Sequence, residues 1–276
     1  MLEPEKLGRH QDDLATTLRT LRKQAGYTGQ RLASQCAMSQ SKISKIETGK
    51  LLPTVVDVER ILEAVNAPAE LRSEIIALAR LANTEFQDVR SLLRKGLEKK
   101  QNELASLEAS STDLRYFLPS MITALLSTPE YIRASLAHSP GDVSKAVASK
   151  LDRQAVLYDE SKRFTFVLTE SAVRWTLCPP TLMAMQVDRL ISLSHLPNVG
   201  IGVVPLGSHL PRGPMNTFTV YDSRLVTAET FSGAIMMRDP RDVTFHLDLF
   251  ATFEGFAVFD DEARGRLSEW ATIFRR

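Results

Sequence analysis

The sequence predicts an all-α N-terminal domain of five helices with a helix-turn-helix at its centre, a connecting helix, and an α+β C-terminal domain with a mainly antiparallel sheet. Three observations predict it. Residues 28–50, TGQRLASQCAMSQSKISKIETGK, read as two short helices joined by a tight turn. Residues 84–109 hold no proline and a single glycine among strong helix formers. From residue 112 onward, short β-type runs alternate with helical ones. The predicted domains are therefore 1–83, 84–111 as connecting helix, and 112–276, in keeping with two domains for 276 residues. With 43% apolar and 24% charged residues, the composition is that of an ordinary globular chain.

Each element follows from spacing and punctuation. Leu14, Leu18, Leu21 and Ala25 recur at helical spacing, and Gly26 stops that helix. Thr28 suits the N-cap of a second helix, running to Cys36, which places Leu32, Ala33 and Cys36 on one face; small Ala33 lets the next helix approach closely. Ala37, Met38 and Ser39 supply the turn, and Ser39 caps a third helix over residues 40–48 whose apolar residues are only Ile43 and Ile46. Val58, Ile61, Leu62 and Val65 mark the fourth helix, and Pro68 at N1 opens a fifth through Leu71, Ile75 and Leu78. In the connecting segment Phe86, Val89, Leu93, Leu97, Leu104 and Leu107 follow 3-4 spacing, broken at Lys100. That apolar face reads equally as a dimer seam or as packing on its own domain.

In the C-terminal domain, residues 114–118, 164–168, 199–204, 216–221, 225–231 and 234–237 read as strands. Residues 129–138, 142–158, 179–193, 240–254 and 260–275 read as helices. Asp222-Ser223 and Ser232-Gly233 separate consecutive strands and predict hairpins. On the helix through residue 158, Leu151, Ala155 and Tyr158 form the inner face, and Arg153, Asp159 and Glu160 a charged outer one.

The third helix carries the chemistry. With Ile43 and Ile46 buried, Gln40, Ser41, Ser44 and Lys45 remain on its first turn and a half, the part that meets base edges in the major groove of double-stranded DNA. A glutamine amide pairs bidentately with adenine, and a lysine donates to guanine. Thr28, Gln30, Arg31, Ser39, Lys42 and Lys50 are expected at phosphates, where contacts fix register and affinity without reading sequence. The first fifty residues hold nine Lys or Arg against five Asp or Glu, an excess of four in a chain of net charge +1. The basic balance lies where DNA is expected.

The run LRTLRKQAGYTGQRLASQCAMSQSKISKIETGK resembles the DNA-binding domain of the phage-repressor or xenobiotic-response-element family of transcription regulators. The resemblance implies base reading by Gln40, Ser41 and Lys45, an internal ion pair of Arg22 with Glu47, and binding as a homodimer to two half-sites. One departure is Gly29, where phage members often carry a glutamine that buttresses the recognition helix; Gln30 is the nearest substitute. STPEYIRASL, KLDRQAVLYDE, PNVGIGVVPLGSH and MNTFTVYD resemble the C-terminal domain of antitoxin-like helix-turn-helix regulators of actinomycetes, often encoded beside a small partner protein. That implies a domain for dimerisation and for sensing a small partner protein or small-molecule effector. The alternatives are an interaction protein holding such a partner and, further off, an enzyme fused to a DNA-targeting module.

Nothing points to catalysis, a metal or a cofactor. His138, His195, His209 and His246 are scattered, without HExxH, CxxC, GxSxG or a glycine-rich phosphate loop. The loop GSHLPRGP, with His209 and Arg212, is the one candidate ligand or partner loop. Cys36 reads as core, and Cys178 as an inert thiol with no basic neighbour in sequence. No apolar run is long enough to span a membrane, so no membrane partner is expected and the cytoplasm is the expected compartment.

Overall fold

A computed structural model describes residues 7–88, 97–139 and 141–276. They form two compact units, one comprising residues up to Gln87 together with Ile235–Val243, the other Asp88–Ala234 with Thr244–Arg276.

The first unit is built on α1 (Leu7–Gln24), α2 (Gly29–Gln35), α3 (Gln40–Glu47), α4 (Val55–Ala64) and α5 (Ala69–Asn83). Leu14, Leu18, Leu32, Ile43, Ile46, Val58 and Leu62 meet in its core, each at most 1% exposed. At Gly26 the chain takes φ +71°, and the Tyr27 N–H returns to the Arg22 carbonyl at 3.1 Å, closing α1 with a Schellman turn. The same device closes α2: Ala37 takes φ +52° and the Met38 N–H reaches the Ala33 carbonyl at 2.9 Å. Here an alanine occupies the left-handed position that glycine fills without strain. Thr54 and Asp57 exchange bonds of 3.1 Å in a capping box that starts α4. Pro68 is extended at ψ 150° and serves as N-cap, so α5 begins one residue later than predicted.

Across this core Arg22 reaches from α1 to α3. Its Nε and Nη2 donate to Glu47 Oε1 and Oε2 at 2.6 and 2.8 Å, and its Nη1 to the Tyr27 carbonyl at 2.7 Å. Both side chains are nearly buried, at 14% and 10% exposure.

Residues 84–88, predicted helical, are instead strand β1 (Thr84–Asp88). The Asn83 amide donates to the Ala79 and Pro53 carbonyls at 2.9 Å and ends α5, and Thr84 and Phe86 favour extended backbone. Helix occupies the later part of the connecting segment as α6 (Leu97–Ser110); Val89 and Leu93 lie outside the described residues. Among the described side chains of α6 the buried ones are Gln101 and Glu108, two turns apart, a polar seam toward its own unit.

The second unit contains β2 (Asp113–Leu118), α7 (Pro129–Ser135), α8 (Ser144–Asp152), β3 (Arg163–Thr169), α9 (Glu170–Arg174), α10 (Pro180–Leu193), β4 (Val199–Val204), β5 (Phe218–Tyr221) and β6 (Leu225–Thr230). After β7 (Gly233–Met237) come α11 (Pro240–Glu254) and α12 (Asp260–Phe274). Within the second unit the strands run in the order β6-β5-β2-β3-β4 in one mixed sheet. β2, β3 and β4 are parallel, because helices intervene between them in sequence; β5 and β6 form an antiparallel hairpin beside β2. Asp222, at φ +52° in the hairpin turn, accepts from the N–H groups of Thr112 and Asp113, both at 2.9 Å, and so fixes where β2 starts. Lys162 Nζ donates to the Ala109 and Ser111 carbonyls at 2.7 Å, closing the C-terminal end of α6.

One predicted helix face is corrected. After Asp152 the chain tightens into a 3-10 turn, Arg153–Tyr158, and the change from 3.6 to 3.0 residues per turn rotates the face inward. Gln154 and Leu157 are buried, whereas Tyr158 is 57% exposed. The Arg153 side chain, expected outside, is 7% exposed and paired with Glu108.

On β4, Gly202 leaves room for the Phe259 ring. A Cβ at residue 202 would lie 2.4 Å from that ring, whose backbone is held by the reciprocal 2.9 Å bonds of Val258 with Val203. Gly202→Ala should therefore lower the denaturant-derived stability by about 1–3 kcal/mol through overpacking. Ala37→Gly should raise it by roughly 1 kcal/mol by relieving the left-handed alanine. Arg22→Ala should lower it by about 3–5 kcal/mol, since Glu47 is left nearly buried without its counterion.

Candidate nucleic-acid interface

α2 and α3 position the candidate side chains. The Thr28 hydroxyl accepts from the Arg31 N–H, and the Ser39 hydroxyl from the Lys42 N–H, each at 3.1 Å. Ile43 and Ile46 seat α3 in the core, at 1% and 0% exposure. With period 3.6 this turns Gln40, Ser41, Ser44 and Lys45 to the opposite face, and all four are exposed. Among the described residues, none of these four side chains hydrogen-bonds to protein. Their donors and acceptors are therefore available to base edges.

Thr28, Gln30, Arg31, Ser39 and Lys50 are exposed as well. The Thr28 and Ser39 oxygens are engaged as caps, but each O–H remains a donor that can point outward. The Arg31 guanidinium lies 4.7 Å from the centre of the Tyr27 ring, a cation–π contact that limits its rotamers while leaving its N–H edge to solvent. Lys42 differs from the rest. Its Nζ donates to Asp57 Oδ1 at 2.7 Å, tying α3 to the capping box of α4. A Cβ at Gly29 would stand 4.0 Å from the Gln40 amide, so the absent side chain leaves that amide unbuttressed.

Arg22 and Glu47 lie behind this face, their mutual bond holding the Arg22 guanidinium above its usual pKa. Cys36 is a core thiol, donating to the Arg60 carbonyl at 3.5 Å and pushed up in pKa by burial. In the second unit, burial and then Glu130 push the Cys178 thiol up as well. His209 and Arg212 are exposed on the loop between β4 and β5, and Arg212 lies 5.4 Å from the Phe245 ring centre. Tyr27 and Asp57 were not anticipated as supports of the face. Thr54-x-x-Asp57 carries a capping-box signature, whereas the Lys42–Asp57 bond depends on tertiary packing. Among the described residues no cluster of His, Cys, Asp or Glu suited to a metal occurs, and no helix is long and apolar enough to cross a membrane.

Among curated proteins none matches the chain. Of solved structures, it is similar to a phospholipase D family member, Nuc, from Salmonella typhimurium, at 10% identity and TM-score 0.35, covering 64% of this chain and 98% of that one. It is similar to NucT from Helicobacter pylori at 11% and 0.37, over 63% and 97% of the two chains. It is also similar to TrmBL2, an archaeal chromatin protein, at 10% and 0.34, over 73% and 66%. Likeness at these scores does not define a shared fold. Residues 13–75 match the model of a helix-turn-helix domain, in agreement with α1 to α5, which makes this unit a helix-turn-helix DNA-binding domain. Residues 101–269 match the domain of unknown function DUF5753, and the chain belongs to that family.

Proposed function

We propose that this chain is a sequence-specific transcription regulator of the xenobiotic-response-element type, non-enzymatic, binding as a homodimer to a two-fold-symmetric operator, with a second unit that dimerises and senses a ligand or small partner protein. The observation that carries it is the outer face of α3. Four polar side chains stand exposed and unbonded to protein among the described residues, on a helix held from behind by two buried isoleucines and a bidentate ion pair. Such a surface has unmet hydrogen-bonding capacity of the kind that pairs with base edges. Dimerisation is inferred from the limited contact area of one helix-turn-helix, since related domains gain affinity from two half-sites about one helical turn apart.

The test is selection of bound duplexes from the source genome by the full-length chain, against Gln40→Ala/Lys45→Ala. Recovery of one symmetric site by the wild type alone is expected; recovery of the same site by both would overturn the assignment of base readers. On that site each single change should cost about 1–3 kcal/mol and relax one base position. Arg31→Ala and Lys50→Ala should weaken all sequences alike and reduce the salt slope by about one each. Lys42→Ala should act mainly on stability, by about 1–3 kcal/mol, because Asp57 loses a partner.

A further inference from the structure

The second unit holds a partly enclosed cavity of about 130 Å³ between α6, α8 and the strand face of β2, β5 and β6. It approaches the roughly 150 Å³ of a protein cavity that holds benzene. Leu104, Leu118, Ile122 and Ile132 supply an apolar wall. The polar wall carries Lys100, Lys150, Arg153, Thr219, Tyr221 and Glu229.

The charges of this cavity do not close on one another. Arg153 is consumed: its Nε and Nη2 meet the two Glu108 oxygens, its Nη1 meets Gln101, and the Tyr116 hydroxyl donates to Glu108 at 3.3 Å. The Glu108 and Arg153 side chains are 1% and 7% exposed, so that pair forms a neutral, rigid floor. Lys150 stands beside it with no such partner. Among the described residues no carboxylate lies within ion-pair distance of its ammonium, and Glu229 acts on it only through space. With the floor neutral, Lys100 and Lys150 against Glu229 leave one uncompensated positive charge.

We propose that this cavity binds a small organic monocarboxylate, its carboxylate on Lys150 and its compact apolar body against Leu104, Leu118, Ile122 and Ile132. The excess of one charge matches a monoanion, whereas a dianionic phosphate would overcompensate it and leave the apolar wall uncovered. A cation held without a counterion is costly to the folded state. Desolvation, then the neighbouring Arg153, bring the Lys150 pKa down to about 8, so at neutral pH it is a mainly charged group awaiting a partner. The proposal rests on the reading of the second unit as a sensing domain and gives that domain its ligand class.

The test is titration calorimetry on the full-length chain without DNA, so the result is independent of operator binding. The probes are carboxylates from acetate to octanoate and benzoate, the alcohols of the same carbon skeletons, and inorganic phosphate. Saturable binding of one size class of carboxylate is expected, with its alcohol and phosphate at least about tenfold weaker. Lys150→Met should abolish that binding while leaving the thermal midpoint at or above the wild-type value, because it removes a desolvated charge. Glu229→Gln should tighten binding by removing a like charge from the carboxylate. The proposal is overturned if no carboxylate binds, if phosphate binds as tightly as the best carboxylate, or if Lys150→Met folds and binds unchanged.

Discussion

Arg22 and Glu47 meet through two parallel hydrogen bonds at the ends of α1 and α3, and the geometry of the nucleic-acid face depends on that meeting. A helix that must present one whole side to a partner has little apolar surface left for its own anchoring. α3 has two isoleucines for the purpose, and two side chains fix its depth better than its rotation about its own axis. A planar fork on a carboxylate removes that rotational freedom, because both bonds are kept only at one orientation. The third guanidinium nitrogen, bonded to the Tyr27 carbonyl, extends the restraint to the turn before α2. Lys42 and Asp57 add a second tie on the side toward α4.

The second unit uses the same chemistry for a different purpose. Glu108 and Arg153 lie almost wholly out of water, and every strong acceptor of the carboxylate faces a donor. Replacement of such a pair by apolar residues is often neutral or better for stability, so burial of the pair is not explained by stability alone. It places a flat polar surface under a cavity that is otherwise lined on one side by aliphatic groups. Lys162, which closes the end of α6, keeps Glu108 in register with that surface.

Much of this was legible in the sequence, and the reasons are local. Thr28 and Ser39 cap the helices they were expected to cap, the turn lies at Ala37 to Ser39, and β4 spans the predicted residues, because caps, turns and apolar runs are encoded within a few neighbours. The four exposed positions of α3 follow from its period once Ile43 and Ile46 are assigned inward. What was not legible depends on residues distant in the chain. Thr84 to Asp88 carry a helix-compatible pattern but become strand because α5 is stopped by a side-chain bond from Asn83 to Pro53. Arg153 was assigned outward because its counterion, Glu108, is 45 residues away. The bond of Lys42, an expected phosphate contact, to Asp57 exists only after α3 and α4 pack.

The compact unit that holds the helix-turn-helix domain is not a contiguous piece of the chain. Residues 235–243 belong to it: the Arg238 N–H donates to the Asn83 carbonyl at 3.1 Å, Arg241 pairs with Glu59 at 2.6 Å, and Met236 and Asp239 are buried. The chain thus leaves this unit after Gln87, returns at Ile235 and leaves again after Val243. A domain of that kind is not a cassette. No single crossover in the gene could exchange it without carrying residues 88–234 along, and inheritance of the two units is therefore tied by the path of the backbone.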